Sequence, residues 1–315
     1  MQTVPLGNTG VQVSALCLGT MYFGTRQDEA TSFRLLDQYV DAGGTFLDTA
    51  NIYAHWVPGG RGGESEALLG RWLKARGHRD RMFIATKVGF EYGDVPRSLA
   101  PHLIEAECDK SLRRLGVDVI DLYYAHVDDR VTPLRDSLEA LARLVEKGKV
   151  RFIGASNYRA YRLERAHALS KANGWPEFCC VQQRYTYLRP RAGQTFDPQL
   201  AANDDLLDYV RARKGEFTLL AYSVLLGGAY TRPDRPLADQ YVGPDSDARL
   251  AAVRAVAAEI GATPNQVVLA WLRQSDPPVL PLIAASTPEQ MAENLGALQV
   301  TLSVEQMHRL DTAGV

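Results

Sequence analysis

Asp48, Tyr53, Lys87 and His126 stand at or just beyond the ends of three apolar segments, TFLD (45–48), MFIATK (82–87) and VIDLYYAH (119–126). A lysine or a histidine closing an apolar strand is unusual, because a charge taken out of water is costly unless it is paired. Asp48 is the natural partner for Lys87, and Tyr53, five residues past Asp48, can bring its hydroxyl into the same pocket. Such a set can deliver a proton to an oxygen that is gaining negative charge, which is what a carbonyl needs when a hydride reaches its carbon. Tyrosine alone, with a free pKa of about 10, is a poor donor at neutral pH. An ammonium beside it stabilises the phenolate and is expected to lower that pKa, while a carboxylate keeps the lysine charged in a dry pocket. A neutral histidine opposite can donate a hydrogen bond to the same oxygen and orient it. Singly, each residue has a plainer role as rim aromatic, surface lysine, core histidine or helix cap. Their joint placement on successive segment ends is what points to chemistry.

The elements that must position them follow from hydrophobic patterning. Residues 2–14 alternate around Gly7-Asn8-Thr9-Gly10, a hairpin signal. Eight short apolar runs follow: 15–19, 45–48, 82–87, 119–126, 150–156, 179–182, 217–223 and 279–286. Between them lie amphipathic stretches such as EATSFRLLDQYVDAG, SEALLGRWLKARG and LRDSLEALARLVEKG, each ending near a glycine. Thr263-Pro264 places a cap before a first-turn proline, and Thr287-Pro288-Glu289-Gln290 and Ser303-Val304-Glu305-Gln306 read as capping boxes. Alternation of this kind implies a parallel sheet, and eight units are the number that closes a (β/α)₈ TIM barrel. An open doubly wound sheet is the other arrangement compatible with the alternation. The expected fold is an α/β barrel with an N-terminal β-hairpin, one domain over residues 1–315. The Gly- and Pro-rich stretches 56–63 and 227–245 are expected to be long βα loops rather than linkers.

Composition bounds the function. The 315 residues carry a formal net charge of −2 with no basic block, which argues against nucleic acid or an anionic membrane as partner. No apolar run approaches a membrane span, and the polar start MQTVPLGNTG does not read as a targeting segment. Cys17, Cys108, Cys179 and Cys180 form no C-x-x-C pair and are expected to be reduced structural thiols, so a cytoplasmic location is expected. The six histidines show no H-x-H or H-x-x-x-H pair, so a metal site is not expected and a metal hydrolase is disfavoured.

FLDTANIY, IATKVG, LYYAH, IGASN, VQQRY and LLAYSVL together resemble, in order and spacing, the landmarks of the aldo-keto reductase superfamily. The resemblance runs from the PLGNTG hairpin to the ASTPEQMAENL helix. It implies NADPH-dependent reduction of a small aldehyde or ketone, with Tyr53 as general acid, Lys87 and Asp48 tuning it, and His126 orienting the carbonyl. It also implies a set of cofactor positions. Ser156, Asn157 and Gln182 would hold the nicotinamide carboxamide and Tyr222 would stack on the ring. Ser223 and Leu225 would belong to a pyrophosphate loop, and Ala285, Ser286, Gln290 and Asn294 would grip the adenosine end. Gly19 and Thr20 would also face the cofactor, and Tyr22 and Trp56 the substrate. A cofactor-sensing subunit of the same fold is the competing function.

Several positions depart from the family's pattern. Ala284 replaces its usual glycine and Val224 its usual proline, and the 55–65 loop is longer than usual and adds Trp56. His126 is followed by Val-Asp-Asp-Arg instead of an aromatic, which is expected to make that wall polar. The chain stops soon after Leu310, where steroid-reducing relatives carry a long flap, so a polar or sugar-like carbonyl is expected over a steroid. Residues 284–290 contain no lysine or arginine for a 2′-phosphate, so NADPH is expected to be preferred over NADH by a smaller margin than in relatives with a cation there.

Overall fold

The computed structural model describes residues 1–314. Strands β1 (Thr3–Pro5) and β2 (Gln12–Ser14) pair antiparallel with Val4 opposite Val13, the expected hairpin. Among the described residues eight further strands form one closed barrel. They are β3 (Cys17–Gly19), β4 (Phe46–Asp48), β5 (Phe83–Val88), β6 (Ile120–Ala125), β7 (Val150–Ser156), β8 (Phe178–Arg184), β9 (Thr218–Tyr222) and β10 (Val279–Ile283). They run parallel in chain order, and β10 returns to pair with β3. The open doubly wound alternative is thereby set aside.

Strands covered by helices outside and side chains inside have no wet face, so they read as unbroken apolar runs instead of alternating ones. Every residue of β5 and β6 is buried, including Lys87 and Asp121. Inside the barrel Phe46, Phe83, Leu122, Tyr124, Cys180 and Leu220 pack together, and Leu6 and Val13 of the hairpin join the same cluster. Tyr124 fits because β7 offers a glycine opposite it: a Cβ at Gly154 would stand 2.8 Å from the tyrosine ring. The hairpin sits tightly under the N-terminal strand ends, where a Cβ at Gly7 would meet the Cys179 carbonyl oxygen at 2.4 Å. With that end plugged, the C-terminal strand ends are left to form a site.

The patterned stretches become helices Glu29–Asp41, Glu64–Arg76 and Leu134–Glu146. The second ends on the left-handed Gly77, whereas the others stop at Ala42 and Lys147, one residue ahead of their glycines. Ser303–Gln306 forms the expected reciprocal capping box, and so does Thr263 with Gln266. Thr287 is only half of one. Its side chain accepts from Gln290 N, but Gln290 Oε1 accepts from Ser286 N at 2.8 Å instead of from Thr287 N. The last strand is also shorter than expected, because residues 284–286 turn into helix Pro288–Gly296. The 227–245 stretch is a loop containing two single 3₁₀ turns, and it yields at Pro244 to a helix, Pro244–Ile260, that patterning did not single out. The four cysteines are buried and unpaired. No helix of the described residues is long and apolar enough to cross a membrane.

Candidate active site

Asp48 closes β4 and Lys87 lies one residue before the end of β5, so adjacent strands present both at the barrel mouth, fully buried. Lys87 Nζ donates to Asp48 Oδ1, to the Thr49 carbonyl at 2.7 Å and to the Tyr53 hydroxyl at 2.8 Å. Gln182 of β8 donates to the other carboxylate oxygen at 2.8 Å. Burial pushes the Asp48 carboxyl up against the pull of Lys87, and pushes the Lys87 ammonium down against the pull of Asp48. Their contact favours the charged forms: Nζ meets two obligate acceptors, Asp48 Oδ1 and the Thr49 carbonyl, and the Tyr53 hydroxyl can accept a third bond. The pair is an ion pair.

Tyr53 lies in the turn after β4, and its hydroxyl is 3.5 Å from Asp48 Oδ1, a long contact beside the bond from Lys87. Its phenol is pushed well above its ordinary pKa, first by burial and then by the Asp48 carboxylate. The expected lowering by Lys87 does not hold for the protein alone. The dry floor and the carboxylate together outweigh the ammonium. His126, immediately after β6, is held by a bond from its backbone N–H to the Val88 carbonyl at 2.8 Å. Burial, and then Lys87, keep its imidazole well below its usual pKa, so it is neutral at pH 7. Its Nδ1 is buried with no partner among the described residues.

Asp48, Tyr53, His126 and Gln182 line a cavity of about 630 Å³, and Lys87 lies behind the first two. Gly19, Tyr22, Trp56, Asn157, Tyr222 and Ser223 share it. Trp56 stands edge-on to Tyr53 at 6.3 Å and to Tyr22 at 6.4 Å between ring centres. Asn157 has left-handed backbone, and its side chain is already engaged. It donates to the His126 carbonyl at 2.9 Å and accepts from the Tyr222 hydroxyl at 2.7 Å. Thr20 and Ser156 are placed differently from Gly19 and Asn157. The fully buried Thr20 hydroxyl donates to the Asp48 carbonyl at 3.0 Å, and Ser156 Oγ lies behind Asn157, accepting its amide at 3.1 Å. Neither side chain lines the cavity.

Leu225 lies at the start of a 3₁₀ turn following the left-handed Ser223. Ser286 is exposed, Ala285 and Asn294 are buried, and Asn294 donates to the Ala284 carbonyl at 3.0 Å. Sequence reasoning passed over Gln27, whose amide reaches Ser286 Oγ at 3.0 Å and ties the loop after β3 to this corner. It also missed Phe90, Arg184 and residues 196–199, all of which line the cavity. The expected polar wall beside His126 does not form. Asp128 is bound by Arg162 at 2.8 Å, Asp129 accepts from the Val131 backbone N–H, also at 2.8 Å, and Phe90 packs edge-on against His126 at 4.6 Å.

Fold and mouth together are those of the α/β-barrel enzymes. A model of the Aldo/keto reductase family matches residues 15–314, and the chain belongs to that family of oxidoreductases. Oxidoreductase YrpG of Bacillus subtilis (strain 168) is 33% identical over 320 residues, covering 99% of this chain and 95% of that protein. Aldo-keto reductase yakc [NADP(+)] of Schizosaccharomyces pombe is 32% identical over 321 residues, covering 96% and 88%. Among solved structures, the thermostable aldo-keto reductase Tm1743 in complex with the inhibitor epalrestat superposes with a TM-score of 0.78. Its sequence is 30% identical, and 99% of each chain is covered.

Proposed function

We propose that the protein reduces an aldehyde or ketone to an alcohol with NADPH, Tyr53 acting as the acid. The observation that carries the reading is the buried Asp48–Lys87–Tyr53 network opening on the same cavity as His126. When bound, NADPH supplies a hydride to the carbonyl carbon. The residues present fit it: Tyr222 and Gln182 face the cavity, Ser223 and Ala284 continue its lining, and Ser286 and Gln290 lie at the start of helix Pro288–Gly296, whose backbone N–H groups suit a phosphate. The name of the yakc relative, which carries NADP(+), supports the same cofactor.

Tyr53 is protonated before reaction, but burial and Asp48 make it a weaker acid than free tyrosine, so the transfer depends on Lys87. Lys87 already donates to the phenol oxygen at 2.8 Å, and the phenol proton has only a long 3.5 Å contact to Asp48 Oδ1 to give up in turning into the cavity. As it passes to the carbonyl oxygen, the nascent phenolate is met by an ammonium in place, a preorganised stabilisation that needs no rearrangement. Neutral His126 offers a hydrogen bond to the same oxygen and fixes which face of the carbonyl is presented. The family match over residues 15–314 supports a single barrel domain, and four unpaired cysteines suit a reducing compartment such as the cytoplasm.

The test is Tyr53→Phe. A general acid is typically worth about 10²–10⁴-fold, so kcat should fall by that much while NADPH affinity, read from quenching of protein fluorescence, hardly moves. A variant that keeps more than about a tenth of the wild-type kcat removes Tyr53 from the role.

A further inference from the structure

Arg184 is the last residue of β8, two after Gln182, so both side chains stand on the same inward face, Arg184 about 7 Å nearer the mouth. It is in register with Tyr222, and its guanidinium carbon lies 5.8 Å from the centre of that ring and 4.5 Å from that of Phe196. All three line the cavity that contains Tyr53 and His126. Arg184 Nε and Nη2 share a single acceptor, Gln199 Oε1, at 3.2 and 2.8 Å. Among the described residues no carboxylate forms an ion pair with it. Other partly buried arginines are provided for: Arg114 pairs with Glu66 and Arg162 with Asp128, while Arg249 and Arg273 each donate to oxygens on two different residues.

A half-buried guanidinium held by the Gln199 amide oxygen, with the Tyr222 and Tyr241 hydroxyls beside it and no carboxylate, is a costly arrangement, and its planar fork matches a carboxylate or a phosphate better than an amide. Inside the cavity no carboxylate competes for an anion's place. Asp48 is taken up by Lys87 and Gln182, and Asp197 stands exposed at the rim. We propose that Arg184 is the anion-binding residue of this cavity, its Nε–Nη2 edge exchanging Gln199 for the carboxylate or phosphate of a bound ligand. The inference rests on the reductase reading above and narrows it to carbonyl compounds that carry an anionic group. The pyrophosphate of a dinucleotide shares that chemistry, and the experiment separates the two.

Wild type, Arg184→Gln and Arg184→Lys are compared on benzaldehyde and 4-carboxybenzaldehyde. NADPH affinity is read from protein fluorescence, and benzoate affinity from calorimetry. Charge-assisted bonds of this kind correspond to about ten- to a hundredfold in affinity. Arg184→Gln should therefore lower kcat/KM for 4-carboxybenzaldehyde by about that factor more than for benzaldehyde, mainly through KM, and weaken benzoate at least about tenfold. Arg184→Lys should recover part of the loss, keeping the charge without the fork. If NADPH affinity falls by that factor instead and the two aldehydes suffer alike, the anion is the cofactor's pyrophosphate. Equal losses with NADPH and benzoate binding intact, or no loss at all, overturn the proposal. Should Arg184→Gln fail to fold, wild type decides, because benzoate binding that does not weaken with added salt also overturns it. Failure of wild type to reduce benzaldehyde would sink the reductase reading, and the benzoate arm would still report on the arginine.

Discussion

Replacing either member of the buried ion pair should make stability depend on pH, with opposite slopes. Lys87→Met keeps the length of the side chain and removes the charge, leaving the Asp48 carboxylate with Gln182 and the distant Tyr53 hydroxyl. Burial already raises Asp48 with Lys87 present, so without it the folded-state pKa moves further above the free value of about 3.9. The folded state then binds a proton that the unfolded state releases, and stability falls as pH rises above about 4, by about 1.4 kcal/mol per unit. The ceiling on the penalty is about 1.5 kcal/mol at pH 5 and about 4 kcal/mol at pH 7, in line with the cost of stranding one buried charge. Asp48→Asn strands the ammonium instead. Burial already lowers Lys87, so the folded state sheds a proton that the unfolded state keeps up to about pH 10.4. Stability must then rise with pH, the ceiling on the penalty shrinking from about 5 kcal/mol at pH 7 to about 2 kcal/mol at pH 9. The double variant, with no charge to strand, should be nearly pH-independent and more stable at pH 7 than either single one. Urea unfolding followed by tryptophan fluorescence at pH 5, 7 and 9 measures all four proteins. Parallel pH profiles for the two single variants, or midpoints equal to wild type, would refute a dry ion pair at the barrel mouth.

Trp56, 44% exposed yet in edge contact with Tyr53 and Tyr22, should act on the substrate alone. Trp56→Ala is expected to raise KM for a good aldehyde severalfold and leave NADPH affinity unchanged, and a defect confined to NADPH binding would move the loop to the cofactor side. Ser286→Arg adds a cation beside Gln27 and Gln290, so KM for NADPH should fall and become more salt-dependent. Comparing kcat/KM for NADPH and NADH at fixed ionic strength checks it, and a wild-type preference for NADH would overturn the cofactor assignment without touching Tyr53.

What the sequence made legible was decided by how strongly each feature opposed its surroundings. A lysine and a histidine closing apolar runs stand out because burial penalises them; the structure brings His126 to one cavity with Asp48 and Tyr53 and seats Lys87 behind those two. Strand β7 matches its expected limits, 150–156, residue for residue. Strand β8 does not. Its apolar run ends at Gln182, whereas the pairing with β9 continues through Gln183 and Arg184. Side chains at a barrel mouth are polar because the site needs them to be, so hydrophobicity fades two residues before the hydrogen bonding does, and Arg184 was hidden by that gap. The error at β10 has the opposite sign. Ala284 and Ala285 prolong the apolar pattern beyond Ile283 although the chain has already turned toward Thr287, which caps the next helix. The acid–base error has a related origin. Spacing places an ammonium near Tyr53 but carries no measure of how dry the pocket is, and dryness set the sign of the shift. Asp128 shows the same limit from the other side. Its partner Arg162 lies in the next βα unit, so only the assembled barrel shows that the charge is already spent and that Phe90 forms the wall it vacated. Local chemistry therefore identifies which groups must find partners. The register of neighbouring strands decides which partner each one finds, and so which of them, Arg184 among them, is left facing the cavity with room for a ligand.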